Sequence, residues 1–374
     1  MTTTKNNEHK KLNFPNEQEQ SQACLNSAEH EKNQGRKVLN VPNLRFPEFQ
    51  GEWEESKLGD VATSISSGKS KASCGNYNLY GSTGVIGKTC EAFYEGQMLL
   101  IARVGANAGK LQIINEKCGI TDNTLIVKTE RIPATYIYYY LQHFNLNRLI
   151  FGSGQPLITG GMLKKVMIPL GNDAEQNKIT NLLSLIDVHI ATQSKVINRL
   201  QSLIKGIANK SFHVARETKP LLEFAPNITS GNDKNGSGTI PLYGSTGIIG
   251  MVKNASQKGN IVLVARVGTI GTVQFVNEPC GVSDNALIIK AGDMTKYIYY
   301  FLKTYNFARI TSGTTQPLIT ASSLKKIAVP IFDIERSSNI VRCLSGLEKK
   351  LNIEKRYLLD MVMIKQYLLR QMFI

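Results

Sequence analysis

Short apolar runs separated by Gly- and Ser-rich turns fill two stretches of the chain and predict β-strands. The strands are expected at residues 98–103, 110–114, 123–128, 260–265, 272–276 and 286–290. A helix with an aromatic face should follow in each stretch, at 134–144 and at 295–305. This mixture predicts two α+β domains.

Beyond each stretch, apolar residues recur at alternating spacings of four and three, which is the a/d pattern of a coiled coil. The first seam consists of Ile179, Leu183, Ile186, Ile190, Gln193, Ile197, Leu200, Ile204 and Ile207. The second consists of Ile340, Leu344, Leu347, Leu351, Glu354, Leu358, Met361, Lys365 and Leu368, in which Lys365 departs from the pattern. Each helix, about 40 residues long, would span roughly 60 Å.

The two seams share one polar position, occupied by Gln193 in the first and Glu354 in the second. Single polar residues in a seam fix the register of a coiled coil at a cost in stability. We therefore predict an antiparallel, pseudo-twofold coiled coil with Gln193 opposite Glu354. In the alternative, each helix packs on its own domain.

The chain also repeats itself, at an offset that drifts only from 163 to 161 residues. The recurring motifs are Tyr-Gly-Ser-Thr-Gly at 80 and 243, Ala-Arg-Val-Gly at 102 and 265, Gly-x-x-Asp-Asn at 119 and 281, and Gln-Pro-Leu-Ile-Thr at 155 and 316. A unit of this length is a domain rather than a solenoid repeat of roughly 20–50 residues. We expect a disordered polar tail at 1–40, domains at 41–171 and 213–332, and long helices at 172–212 and 333–374.

Lys and Arg outnumber Asp and Glu by 44 to 29, which gives a formal net charge of +15. This excess favours a polyanionic partner such as nucleic acid over a merely soluble basic protein. No apolar run reaches the ~18 residues of a membrane span. The N-terminus lacks the apolar stretch of a signal peptide, so we expect a cytoplasmic protein.

Residues 81–89 superficially resemble a phosphate-binding P-loop but have five residues between Gly81 and Gly87, where the motif has four. The second copy replaces Lys88 by Met251, which cannot bind a phosphate. Nucleotide binding is therefore rejected. Hydroxyls of such a loop can contact DNA phosphates or bases, although a purely structural hairpin turn is equally consistent.

Arginine at 103 and 266 could read guanine or clamp a phosphate, or could form internal ion pairs with Asp122 and Asp284. The tyrosine runs at 136–140 and 297–301 could stack on bases, but core packing is the better interpretation at helical spacing. The glutamine before each Pro-Leu-Ile-Thr could form hydrogen bonds with adenine. Alternatively, the rigid Gln-Pro pair could cap a strand. The predicted DNA-binding residues are Tyr80, Ser82, Thr83, Lys88, Arg103, Asn107, Lys110, Gln155, Tyr243, Ser245, Thr246, Arg266, Thr269 and Gln316.

A catalytic or metal site is not indicated, since the sequence contains no Asn/Asp-Pro-Pro-Tyr/Phe, no glycine-rich cofactor loop and no Gly-x-Ser-x-Gly. Cysteine occurs at 24, 74, 90, 118, 280 and 343 without zinc-binding spacing. Free, buried thiols are expected at these positions.

Further local motifs fit this organisation of two domains, each followed by a long helix. Residues 163–169 and 324–330 (Leu-Lys-Lys-x-x-x-Pro) lead into the helices, and residues 44–53 open the first domain with Leu-Arg-Phe-Pro-Glu-Phe-Gln-Gly-Glu-Trp. Over roughly residues 41–374 the chain resembles the DNA-specificity subunit of type I restriction-modification systems. Residues 175–179 match the family's helix start, whereas 335–340 and the polar tail depart from its pattern.

The resemblance implies that each domain is a target recognition domain for one half of a bipartite, interrupted double-stranded DNA site. It implies that the helices set the gap and dock two adenine methyltransferase subunits, with restriction/translocase subunits in the full complex. S-adenosylmethionine, ATP and Mg would be bound by those partners, and this chain would be non-catalytic. A fused nuclease or methyltransferase and a purely structural scaffold are the competing classes. Since the two domains are alike, similar inverted half-sites are expected, with differences in 69–78 against 232–241 and 146–154 against 307–315.

Overall fold

The computed structural model describes residues 40–150, 155–312 and 317–374. It divides into two compact units, one of residues up to Leu182 together with Tyr367–Ile374, and one of Leu183–Gln366. Of the predicted disordered tail, only Asn40 falls within the described residues. The α+β class is confirmed in both units.

The described residues of the first unit form three sheets. Its strands are β1 (Glu54–Lys57), β2 (Ser64–Ser67), β3 (Tyr77–Gly81), β4 (Gly84–Thr89), β5 (Gln97–Ala102), β6 (Leu111–Asn115), β7 (Gly119–Ile120), β8 (Thr124–Lys128) and β9 (Met167–Leu170). Its helices are α1 (Leu58–Val61), α2 (Ala134–Phe144), α3 (Gly160–Lys164) and the beginning of α4 (Asp173–His213). The sheet orders are β2-β8-β5-β6, β4-β3-β7 and β1-β9.

Strand β5 forms the middle of the first core. It pairs antiparallel with β6 and β8, so that Leu100 lies opposite Gln112 and Ile126. Its residues from Met98 to Ala102 are almost fully buried. A strand buried on both faces reads as a continuous apolar run, which is why the sequence identified it.

The second unit has the same arrangement. Its strands are β10 (Glu217–Pro220), β11 (Thr229–Ser230), β12 (Ile240–Gly244), β13 (Gly247–Val252), β14 (Ile261–Ala265), β15 (Val273–Val276), β16 (Gly281–Val282), β17 (Ala286–Ile289) and β18 (Ala328–Ile331). Its helices include α5 (Leu221–Phe224), α6 (Thr295–Thr304), α7 (Ala321–Lys325) and α8 (Ile334–Gln371), of which α8 ends in the first unit. The orders β11-β17-β14-β15, β13-β12-β16 and β10-β18 match those of the first unit strand for strand.

Within Leu183–Gln366 the two long helices pair antiparallel, as predicted. The Gln193 Nε2 donates hydrogen bonds to Glu354 Oε2 at 2.6 Å and to the Glu354 carbonyl at 3.2 Å. The irregular seam residue Lys365 forms an ion pair with Asp187 at 2.7 Å. The carboxylate of Asp187 thus compensates for the positive charge of Lys365 in the otherwise apolar seam.

Helix packing on a domain, the alternative to the coiled coil, also occurs in this unit. Leu200 and Ile204 of α4 and Leu344 of α8 belong to one buried cluster with Tyr297 and Leu302 of α6. The helices therefore pair with each other and also contribute to the core of the second domain.

One aromatic residue at the end of α4 packs on helix α6, and one that lies two residues beyond the end of α8 packs on helix α2. Phe212 of α4 contacts Tyr297 and Phe301, with ring centroids 5.4 and 5.6 Å apart. In the first unit, Phe373 contacts Tyr136 and Tyr140 at 5.5 and 5.9 Å. These contacts are equivalent, since every residue in the second set is offset by 161 from one in the first. The C-terminal end of the chain thus packs on the first domain as the end of α4 packs on the second.

Candidate nucleic-acid interface

The Tyr-Gly-Ser-Thr-Gly motif forms the hairpin between β3 and β4, and its copy forms the hairpin between β12 and β13. Each hairpin has the same register shift, immediately before the tyrosine. Gly84 and Gly247 adopt φ of +112° and +124°, which favours glycine. Turn geometry therefore accounts for these glycines, while Thr83 and Thr246 are left exposed at the tips.

The other recurring motifs meet beside each hairpin through backbone hydrogen bonds. Arg103 N donates to the Asn123 carbonyl at 3.0 Å, and Ile158 N donates to the Arg103 carbonyl at 2.8 Å. Thr121 N donates to the Tyr80 carbonyl at 2.9 Å. The equivalent bonds of the second domain are Arg266 N to Asn285 O, Ile319 N to Arg266 O and Ser283 N to Tyr243 O, at 3.0, 3.0 and 2.9 Å. All four motifs thus converge in each domain on one region, here called the polar edge.

The arginine of the polar edge has unused hydrogen-bonding capacity. Among the described residues, neither Arg103 nor Arg266 forms the alternative ion pair with Asp122 or Asp284; Arg103 Nη1 approaches the Asp122 carbonyl at 3.4 Å. The Nε of both arginines is buried without a hydrogen-bond partner in the described part of the chain. Buried donors are normally satisfied, so this shared feature is unusual for a purely structural residue.

A tyrosine–glutamate pair lies next to the turn of each hairpin. Tyr80 Oη donates to Glu116, and Tyr243 Oη donates to Glu278 Oε1 at 2.6 Å. Burial, followed by the bond to Glu116, raises the pKa of Tyr80 to about 12. The bond from Tyr80 in turn lowers the pKa of Glu116. At neutral pH the Tyr80–Glu116 pair is therefore a neutral phenol donating to a carboxylate.

The sequence-based prediction missed Glu116 and Glu278. A signal was present, because Asn-Glu-x-Cys-Gly recurs at 115–119 and 277–281. Gln112 and Gln274 also recur, and Gln274 Nε2 donates to the Gly244 carbonyl at 2.9 Å. These repeated residues belong to no motif of known chemistry, and the fold brings them to the hairpins.

Lys88 distinguishes the two polar edges. Its Nζ donates to Asn78 Oδ1 at 2.9 Å, and Asn78 Nδ2 lies 3.1 Å from a Glu116 oxygen. The second domain has Pro241 and Met251 at these positions. The first domain therefore carries a charged network that the second cannot form.

The loop after each arginine also differs between the domains. Asn107 and Lys110 are exposed in the first domain, beside a groove of about 390 Å³ between residues 106–111 and 141–147. In the second domain the loop is one residue shorter, and Thr269 Oγ1 donates to the Ser245 carbonyl at 3.1 Å. The loop of the second domain is thereby tied to the tip of its hairpin.

The Gln-Pro-Leu-Ile-Thr motif has a structural part and an exposed part. Ile158 is fully buried, and the Thr159 hydroxyl accepts a hydrogen bond from Met162 N at the start of α3. Gln155 is exposed, and Gly105 N donates to the Pro156 carbonyl at 3.1 Å, which places the motif against the arginine loop. The second predicted glutamine, Gln316, lies outside the described residues.

Other sequence-based expectations have mixed outcomes. Core packing of the tyrosine runs is confirmed, since Tyr136, Tyr140 and Tyr297 are buried.

The expectation of uniformly buried cysteines is wrong. Residues 118 and 280 are buried, whereas residue 74 is exposed in a loop, residue 90 at the end of a hairpin and residue 343 on a helix surface. Within the described ranges, no helix is both long and apolar enough to cross a membrane.

Two domains with equivalent polar edges, joined to long antiparallel helices, define a modular recognition protein. The family model of the type I restriction modification DNA specificity domain matches residues 50–202 and 217–360. The chain therefore belongs to the family of type I restriction-modification DNA specificity proteins.

Curated relatives carry matching names. The chain is 26% identical over 143 residues to a candidate type I restriction enzyme specificity subunit of Haemophilus influenzae, S.HindORF215P, a match that covers 35% of this chain and 37% of that protein. It is 23% identical over 385 aligned positions to the type I restriction enzyme MjaVIII specificity subunit of Methanocaldococcus jannaschii, covering 84% and 89% of the two chains.

A solved structure supports the same fold. The S subunit of a type I restriction-modification system from M. genitalium superimposes with a TM-score of 0.68 at 18% identity. The superposition covers 89% of this chain and 99% of that chain. The likeness therefore extends over both domains and both long helices rather than over one domain.

Proposed function

We propose that this chain is the DNA-specificity subunit of a type I restriction-modification complex, in which each domain binds one half of a bipartite, interrupted site. The observation that carries the proposal is the recurrence of one polar edge, with its unpaired arginine Nε, on two equivalent domains. Arginine is the commonest reader of guanine and also clamps phosphates. The net charge of +15 supplies the general attraction to DNA.

The long helices set the distance between the half-sites. Their register is fixed by the Gln193–Glu354 hydrogen bonds and the Asp187–Lys365 ion pair. A polar contact inside an apolar seam disfavours every shifted alignment, because a shift would bury these groups without partners. A fixed register gives a fixed length, which is what a spacer between two readers requires.

The outer surface of the helices is the docking face for the methyltransferase subunits. Large apolar side chains are at least about half exposed there, namely Leu185, Val188, Leu203, Tyr357, Leu359 and Met363. Exposed apolar patches of this kind mark interaction surfaces. In this arrangement the partners bind S-adenosylmethionine, and the restriction/translocase subunits bind ATP and Mg, while this chain supplies recognition without catalysis.

Reconstitution tests the proposal. The purified chain should neither methylate nor cut DNA, whereas its complex with the methyltransferase subunits of the same system should methylate adenines in both halves of one interrupted sequence. Modification by the chain alone would show a fused enzyme. Sequence-independent DNA binding by the complete methyltransferase complex, without site-specific methylation, would show a scaffold.

A further inference from the structure

The polar edges of the two domains present the same groups on the same backbone. The hairpins share their register and its irregularity, and the three linking backbone hydrogen bonds differ by at most 0.2 Å between domains. Identical side chains occupy the positions of Tyr80, Ser82, Thr83, Arg103 and Glu116 in both copies. Equal groups at equal positions favour equal bases, since direct readout depends on donor and acceptor geometry.

Two described differences at this edge concern a charge and the length of a loop. One is the network of Lys88 with Asn78 and Glu116, which Met251 and Pro241 remove from the second domain. The other is the loop of three residues at 106–108, to which the two residues 269–270 correspond in the second domain. Differences in base preference are therefore expected at the positions that these two places reach.

The paired helices within Leu183–Gln366 run in opposite directions. Gln193 and Glu354 are equivalent residues of the two repeats, and they meet each other across the seam. Equivalent points that meet in an antiparallel pair define a local twofold axis. A twofold axis in a DNA-binding protein is matched by inverted half-sites in its target.

Resting on the proposed function, we infer that the target of this chain is a near-perfect interrupted inverted repeat. Its two half-sites share most of their bases. They differ where Lys88 and the 106–108 loop read the first half and where Met251 and the 269–270 loop read the second. This chain thus recognises one sequence twice rather than two unrelated sequences.

Methylome mapping of the reconstituted methyltransferase complex tests the inference. Two half-sites that share most of their bases in inverted orientation are expected. Bipartite sites with unrelated or directly repeated halves would overturn the inference while leaving the proposed function standing. Absence of any bipartite methylated site would overturn the proposed function, and the inference with it.

Reciprocal substitutions in the two domains show which residues cause the difference in base preference between the two DNA half-sites. Lys88→Met should move the first half-site toward the second, and Met251→Lys should move the second toward the first, with a roughly tenfold change in methylation rate at one or two bases. Lys164→Met, an exposed change on α3, is the matched control and should alter neither half-site. A change in the half-site of the unmodified domain would contradict the assignment.

Discussion

The two domains hold their long helices by the same aromatic contact but by different charged contacts. Phe212 and Phe373 occupy equivalent positions on equivalent tyrosine-bearing helices. At the first turn of α4, however, Glu175 is fully buried and accepts hydrogen bonds from Arg45 and from Trp53 Nε1. The equivalent residue of α8 is Arg336, which lies over the Phe332 ring at 4.4 Å. After duplication the apolar contacts were retained, while the charged ones diverged.

The difference shows which contacts the architecture needs. An aromatic side chain at the end of a helix buries a large area and requires no particular partner chemistry. A buried carboxylate needs its donors nearby, and Arg45 and Trp53 come from residues 44–53, which open the first domain. The second domain has no copy of these residues, so a glutamate at position 336 would lack both donors.

Removal of the shared aromatic contact should have the largest effect. Phe373→Ala and Phe212→Ala should each destabilise the local unit by about 3–5 kcal/mol, since both rings are almost fully buried. Hydrogen exchange should show lost protection in α2 for the first variant and in α6 for the second. Ile374→Ala, at a residue 41% exposed, is the control. Loss of protection in α6 for Phe373→Ala, or in α2 for Phe212→Ala, would show that the two aromatic contacts are not equivalent.

Substitution of the divergent charged residue should be unequal between the domains. Glu175→Gln should cost about 1.5–3 kcal/mol, because hydrogen bonds to a charged group are lost while Arg45 stays in place. Arg336→Gln should cost only about 0.5–1 kcal/mol, the value of a cation–π contact at an exposed site. Chemical denaturation, followed by hydrogen exchange in each unit, measures both losses of stability. Equal losses would mean that the buried glutamate has no special role.

The polar contact between the two helices should behave as a coupled pair. Gln193→Leu alone leaves Glu354 without its donor and should cost about 1–3 kcal/mol. The double variant with Glu354→Leu should recover most of that loss, because an apolar pair suits the seam. A double-mutant cycle gives the coupling free energy. Additive losses would mean that the two side chains do not interact.

The smallest expected effect concerns pH. Burial, together with the nearby charge of Arg148, lowers the pKa of His143, whose ring lies 6.0 Å from that of Phe373. Folding therefore favours the neutral form of His143. Its contribution to the free energy of unfolding is fully present above the unfolded pKa near 6.5 and is lost as the pH falls through the lower folded pKa. The first unit should therefore lose stability as the pH falls below about 6.5.

Thr304 stands at the equivalent position of the second domain and does not titrate in this range. His143→Thr is therefore the matched variant, and it should remove this part of the pH dependence from the first unit. Thermal unfolding at several pH values measures it. An unchanged pH profile in the variant would show that another group is responsible.

Sequence patterns predicted the elements and the register well because those depend on periodicity. The seams, the Gln193–Glu354 contact and the strands around β5 all followed from spacing alone, with element ends shifted by a residue or so. Hairpin and strand boundaries are fixed by local hydrogen bonds, which spacing does not specify.

The polar edge was only partly predictable. Spacing identified Arg103 and the hairpin tips. The pairing of Tyr80 with Glu116, however, joins β3 to the residue that follows β6, and the contact of Lys88 with Asn78 likewise depends on the pairing of β3 with β4. The ion pair of Arg103 with Asp122, one of two open alternatives, is wrong because the Asp122 carbonyl rather than its carboxylate faces the arginine. Contacts between side chains distant in sequence require the fold.

The length of the spacer is the central claim, and the gap in the recognised site measures it directly. Seven residues inserted after Gln193, matched by seven inserted before Glu354, preserve the seam and lengthen the paired helices by about 10 Å. Methylome mapping of this variant complex should return both half-sites unchanged, with a gap about three base pairs longer at roughly 3.4 Å per base pair. An unchanged gap, or altered half-sites, would contradict the account.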